Sequence, residues 1–179
     1  MHKTLIPILA LLFACARAPV SKVEKYNRKE WLHWTDGDQN CLDTRAEILR
    51  SRSLTPVQMN HRGCIVVSGK WKDFYYPEVH TQAKNVDIDH LVPLKHAHFS
   101  GAHEWNQKKR EMFANDPENL VITNRSYNRK KGAKGIDEWL PVHQVYACKY
   151  INHWIRIKKK YKLTLNQAEI KTIDLKHCR

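Results

Sequence analysis

Two short stretches of the chain carry residue types at spacings that can do chemistry on a phosphodiester. In VDIDHLVPL, Val86 to Leu94, Asp89 sets a hard anionic oxygen directly beside the imidazole of His90, and Asp87 stands two residues earlier. In NDPENLVITNRSYNRKKG, Asn119 and Asn128 follow nine residues apart. Cutting a phosphodiester takes a deprotonated water, charge stabilisation at phosphorus and help for the departing oxygen. A hydrated Mg²⁺ on one or two protein oxygens, with a neutral histidine beside it, supplies all three. An imidazole with an ordinary pKa of about 6.5 suits a base working near neutrality. An isolated Asp-His pair is more often a salt bridge or a satisfied core pair, so the weight of the reading rests on the second stretch.

The elements that must position these residues can be read from pattern. KNVDIDHLVPL reads as a strand stopped by Pro93, with Leu91 and Val92 anchoring its end in the core. NLVIT reads as a second short strand opened by Asn119, and NRSYNRKKG as a turn passing into a helix that carries Asn128. Strand, connection, strand and helix make a finger in which Asn128 can face Asp89 across one cation. Alternation along a strand puts Asp87 on the face of Asp89, as a supporting acid or a salt-bridge partner. Around the finger, DTRAEILRS predicts a helix from about Asp43 to Ser51. CIVVSGKWKDFYY predicts a hairpin turning at Ser-Gly-Lys. Helices are expected at Leu94–Phe99 and over about 102–114, and the tail carries two helix patterns with KKKYK between them. The expected class is α+β, with an extra β-hairpin and a helical shell.

Composition bounds the rest. A chain of 179 residues with 42% hydrophobic residues fits one domain with a real core. Lys and Arg number 31 against 18 Asp and Glu, and the resulting +13 draws polyanions such as DNA or RNA. The start, MHKTLIPILALLFACARAP, has the layout of a secretory signal over residues 1–18, and its apolar run of about ten residues is too short to span a bilayer. Cleavage after Ala16 or Ala18 competes with lipoprotein processing at Cys15. Export, to the periplasm or the medium or as an anchored lipoprotein, accords with the four remaining cysteines. Cys41, Cys64, Cys148 and Cys178 allow three pairings, of which Cys41 with Cys64 and Cys148 with Cys178 clip the shortest local segments. No C-x-x-C spacing points to zinc.

At these residues the chain resembles the HNH, or ββα-metal, nucleases, specifically the exported bacterial branch allied to the C-terminal part of GmrSD restriction proteins. The resemblance runs through YNRKEWLHWTDGDQNCLDTRAEIL, GCIVVSGKW, DIDHLVPLKHAHFSGAHEW, KREMFANDPENL, NRKKG, EWLP and CKYINHWIRIKKKYKLT, in that order. It implies a single nuclease domain over 19–179 with its finger at about 85–135. It further implies His90 as general base, Asp89 and Asn128 as ligands of Mg²⁺ or a substitute such as Mn²⁺, and 5′-phosphate products. Asn119, the middle Asn, is implied to tie down the loop after the first strand and support His90 without touching the metal. Lys130 stands where a small residue is usual after Asn-Arg.

Other candidates carry less. Asp36, Asp38, Asn40 and Glu47 fall in the register of a calcium-binding loop, but Cys41 occupies the position that requires Gly, so an Asp-rich turn is the expectation. His96 and His98, two apart on a helix, do not converge, which weakens a zinc site with His103. Arg129, Lys130, Lys131 and Lys134 are placed to reach flanking phosphates, and Arg110 either to do so or to brace an acid. The tryptophans are mostly core at their spacing. The expected activity is a monomeric endonuclease with little sequence preference. Its rival is a non-catalytic surface lipoprotein that binds or takes up DNA.

Overall fold

The computed structural model describes residues 24–178, so the leading segment with Cys15 lies outside the described residues. The fold is mixed α+β. Helix α1 (Thr44–Ser51) is capped by Asp43, whose side chain accepts from the Ala46 N–H at 2.8 Å. An antiparallel sheet follows in the order β1 (Gln58–Met59), β2 (Val66–Lys72), β3 (Val79–Gln82).

The expected turn at Ser68-Gly69-Lys70 is not there. β2 runs straight through it, and its register with β3 shifts between Ser68 and Trp71. The physical reason lies in Gly69, where a Cβ would stand 2.6 Å from the Trp71 ring and 2.8 Å from Ser53 Oγ. The glycine serves a close approach inside a strand.

The second sheet is the hairpin of β4 (Val86–His90) and β5 (Leu120–Asn124), paired in antiparallel register from Val86 opposite Asn124 to His90 opposite Leu120. Between them lie α2 (Leu94–Phe99) and α3 (Gln107–Ala114). The helix expected over 102–114 is broken: a 3-10 turn at Ala102–Glu104 ends at Trp105, and Asn106 caps α3 by accepting from the Lys109 N–H at 2.9 Å. Asn124 caps α4 (Arg125–Lys131), which stops at Gly132 with φ +56°. The tail forms α5 (Gln144–Tyr161) and α6 (Gln167–Lys176), α6 starting with a reciprocal capping box of Asn166 and Glu169.

Two apolar clusters hold these elements. Val86, Ile88, Leu120 and Ile122 point from the hairpin toward α1 and Trp71 of β2. Val121, Leu91 and Val92 pack into the larger cluster with Trp31, Tyr75, Phe113, Tyr150 and Trp154. The hairpin is thus covered on both faces, which makes its end a rigid mount. Both expected disulfides form, Cys41–Cys64 and Cys148–Cys178, closing separations of 23 and 30 residues.

In the helical shell, Lys158 and Glu169 form a buried ion pair, with Nζ 2.7 Å and 2.8 Å from the two carboxylate oxygens. His96 Nε2 sits 3.3 Å from the same carboxylate. Burial alone would raise the Glu169 carboxyl, but His96, Lys158 and the Asn166 N–H overturn that and hold it down at about 2.

Candidate active site

The end of β4 opens on a cleft of about 320 Å³ lined by Arg28, Trp34, Asp89, His90, Lys95 and Asn128, among others. Period-two alternation sends His90 and Asp89 to opposite sides of the strand. His90 is 6% exposed, and its Nε2 donates to the Ala114 carbonyl at 2.8 Å, at the last residue of α3. That bond fixes the tautomer, because a carbonyl only accepts. Nδ1 therefore carries the lone pair, and it takes no hydrogen bond among the described residues. The ring lies stacked beneath Trp34 at 5.7 Å between centroids and 27° between planes. Trp34 itself sits at φ +59°, a backbone region that bulky residues seldom occupy. His33 Nδ1 bonds the Trp31 carbonyl at 2.8 Å, and Nε2 lies 3.2 Å from Arg28 Nη2, which steadies that guanidinium at the cleft.

Burial lowers the His90 imidazole to about 3, against the lift from the Ala114 bond and with help from Arg28, His33 and Lys131. Burial thus favours the neutral form of the ring.

On the other side of the strand, Asp89 is 6% exposed and receives two donors on one oxygen. Tyr75 Oη donates to Oδ2 at 2.6 Å, and Lys131 Nζ lies 2.9 Å from it. Oδ1 takes no hydrogen bond among the described residues, and the residue lines the cleft. Burial pushes the carboxyl up while Lys131 and Tyr75 pull it down; burial pushes the Lys131 ammonium down while Asp89 opposes.

Tyr75 reaches Asp89 because the chain after β2 is wound around Asp73. That carboxylate accepts from the Tyr75 N–H at 2.8 Å, the Asn124 N–H at 2.7 Å and Thr123 Oγ1 at 3.1 Å, and it pairs with His80 Nε2 at 3.0 Å. Asp73, Glu78 and His80 bring ligand-type atoms within 4.8 Å of one another. The lone pairs of Asp73 are already engaged, so this group reads as a structural hub rather than a cation site.

Asn119 is fully buried and binds the loop after β4. Its Oδ1 accepts from the Val92 N–H at 2.9 Å, its Nδ2 donates to the Val92 carbonyl at 3.1 Å, and its own carbonyl accepts from Leu91 N–H at 2.7 Å. Asn128 lies on α4, where its Nδ2 donates to Asp87 Oδ2 at 3.1 Å. That bond leaves the amide oxygen as the free end of the side chain. Asp87 also lies 3.5 Å from Arg125 Nε.

One expectation for a phosphate contact fails, at Lys131, and at Arg110 the structure takes the second of the two alternatives. Lys131 is fully buried, and its ammonium bonds the His90 carbonyl at 2.9 Å as well as Asp89. Its position explains this, because Asn128 and Lys131 stand three apart on one helix face turned to the hairpin. Arg110 braces an acid instead: it pairs with Glu30 and donates to the His103 carbonyl at 2.9 Å. Arg129, Lys130 and Lys134 are exposed but do not line the cleft, Lys134 folding back on the Lys130 carbonyl at 3.1 Å.

In the Asp-rich loop, Asn40 Nδ2 donates to Asp38 at 2.7 Å and its Oδ1 accepts from the Leu42 backbone N–H at 2.8 Å, so its amide is bonded at both ends within the loop. Sequence reasoning did not place Arg28 or Trp34 at this cleft, or Tyr75 against Asp89.

The sequence matches, over residues 43–171, the family described as GmrSD restriction endonucleases, C-terminal domain. A curated relative named "Uncharacterized secreted protein", from Arthroderma benhamiae, is 37% identical over 162 residues, covering 89% of this chain and 78% of its own length. No solved structure matches the chain.

Proposed function

We propose that this chain, which belongs to the family of the GmrSD restriction endonuclease C-terminal domain, is an exported metal-dependent endonuclease that cuts DNA, and RNA as a second candidate substrate, with little regard to sequence. The observation that carries the reading is the neutral His90, its Nδ1 free in the same cleft as an unbonded oxygen of Asp89 and Asn128. In this reading the β4–β5 hairpin and α4 form the ββα-metal finger of an HNH nuclease. The donor set fits a hard cation: one carboxylate oxygen, one amide oxygen and an open side for water and phosphate, as Mg²⁺ prefers. Bound to Asp89 and Asn128, such an ion would neutralise charge building on the phosphoryl group and on the leaving oxygen.

The chain's own residues supply the rest. His90 takes a proton from the attacking water on Nδ1, and the Nε2–H bond to Ala114 steadies the imidazolium that forms. Trp34 covers one face of the ring and keeps it from swinging. Asn119 holds the Leu91–Val92 loop, and with it the end of β4, in register. Asp87 turns Asn128 so that its oxygen, not its nitrogen, is offered. Arg28 and Lys95 line the cleft as phosphate contacts, and the exposed Arg129, Lys130 and Lys134, on and just after the helix that carries Asn128, meet phosphates farther along the strand. Departure of the 3′ oxygen leaves a 5′-phosphate.

Export is supported by the signal-like leader, the two disulfides and the word "secreted" in the relative's name. Among the described residues no helix is long and apolar enough to cross a membrane.

The test is conversion of supercoiled plasmid to nicked and linear forms by the oxidised protein. Wild type should cut with Mg²⁺ and stop with EDTA, and His90→Ala should not cut. Binding without nicking in Mg²⁺, Mn²⁺ or Ca²⁺ would reject catalysis in favour of a surface binder of nucleic acid.

A further inference from the structure

We infer that Lys131 is the resident counter-charge of Asp89, so that the free protein holds a divalent cation weakly and binds it firmly only together with a nucleic-acid phosphate. This rests on the nuclease reading above and adds to it how the cation site is loaded.

The argument is one of charge and valence. Lys131 is fully buried, and its ammonium is held at 2.9 Å from both Asp89 Oδ2 and the His90 carbonyl. It cannot swing out without abandoning both contacts and stranding the buried carboxylate. Tyr75 donates to the same Oδ2 at 2.6 Å, so the two donors leave Asp89 only Oδ1 for a cation. The carboxylate is thus limited to monodentate binding, and its charge is already balanced. Asn128 adds an oxygen but no charge. The other charged groups lining the cleft, Arg28 and Lys95, are positive. An incoming divalent ion therefore meets a neutral pair set among cations, and affinity for hard cations follows the ligand charge count.

A phosphodiester entering the cleft reverses the balance. It brings a negative charge and further oxygen ligands, and it satisfies Arg28 and Lys95. Linkage then requires that nucleic acid tighten the cation by the same factor as the cation tightens the nucleic acid. Lys131 is a positioning residue in this scheme; it touches neither substrate nor water.

Mn²⁺ binding, read by the loss of the free-ion electron paramagnetic resonance signal, tests this without turnover. The protein is the oxidised chain carrying His90→Ala, which keeps a short DNA oligonucleotide intact. We expect the oligonucleotide to tighten Mn²⁺ by about ten-fold or more, within the usual range of coupling between sites. Adding Lys131→Met should tighten Mn²⁺ by a similar factor in the absence of DNA, and should make Tm rise with Mn²⁺ where the parent barely responds. Should Lys131→Met not fold, Tyr75→Phe, which removes the other donor to Oδ2, should move Mn²⁺ affinity the same way by a smaller factor. Equal affinity with and without the oligonucleotide, or no gain in either variant, overturns the inference. A wild type that cuts plasmid yet binds Mn²⁺ tightly alone loses only the role of Lys131. No Mn²⁺ bound in any arm, with no nicking by wild type, removes the nuclease reading as well.

Discussion

Replacing Asn119 by Ala should both unfold the protein more easily and slow it while folded. The side chain is fully buried and supplies two bonds to one residue, at 2.9 Å to the Val92 N–H and at 3.1 Å to its carbonyl. Val92 is itself fully buried, so truncation leaves one donor and one acceptor without partners. Each stranded group costs about 1–3 kcal/mol, giving about 2–6 kcal/mol for the pair. That is a large part of the 5–15 kcal/mol typical of a domain. A water entering the space would bring the loss toward the lower end, and Asn119→Asp, which keeps an acceptor for the Val92 N–H but sets a carboxylate oxygen against the Val92 carbonyl, should recover at most part of it. The assay is urea unfolding followed by far-ultraviolet circular dichroism with the disulfides intact. The midpoint should fall at unchanged slope. At a temperature where both proteins are folded, plasmid nicking should also slow, because the loop that follows His90 is no longer pinned, while affinity for DNA stays near that of wild type. A loss under about 1 kcal/mol would refute the view that these two bonds hold the loop.

His90→Ala should lower the nicking rate by about 10²–10⁴-fold, the usual contribution of a general base, with plasmid binding retained in a gel-shift assay. Glu169 gives the chain an acid weakness. Its carboxyl is held at about 2 against an ordinary 4.5, so the stability it contributes is complete above about 4.5 and is lost as pH falls toward about 2. Unfolding midpoints should drop across that window, and Glu169→Gln should flatten the drop while leaving the Lys158 ammonium stranded and the protein weaker at neutral pH. Reduction of Cys41–Cys64 and Cys148–Cys178 should each cost about 3–4 kcal/mol by loop-closure entropy, seen as a lower Tm after dithiothreitol, with alkylation to prevent re-formation.

Asp89, His90, Asn119 and Asn128 could be singled out from residue type, spacing and the family resemblance, and the structure brings Asp89, His90 and Asn128 to one cleft with Asn119 on the loop beside it. A carboxylate beside an imidazole at a strand end and two amides around a second strand carry their chemistry in residue type and spacing. Lys131 was misread for a local reason. It ends the run Arg129-Lys130-Lys131, which looks like a solvated face, yet helical spacing puts it on the face of Asn128, and that signal could have found it. Trp34 and Arg28 at the cleft, and Tyr75 on Asp89, were beyond reach because they come from outside the finger, through folding around Asp73 and a strained turn at Trp34. The hairpin reading failed at Ser68-Gly69-Lys70 because glycine marks either a turn or a close approach, and only the tryptophan two residues later decides between them.

The winding of the chain around Asp73 bears on how this site can travel between proteins. A fragment limited to residues 85–135 would keep Asp89, His90, Asn119 and Asn128, and even the Ala114 carbonyl that orients the imidazole. It would lose the phenol on Asp89 and the indole over His90, which enter from Tyr75 and Trp34. Such a cassette, grafted into a new scaffold, would carry every reactive atom and lack part of what aims them. The walls of the cleft run from Arg28 to Ala133, but Tyr150 and Trp154 of α5 pack in the cluster behind them, so a graft that keeps these groups aimed must take the helical shell as well.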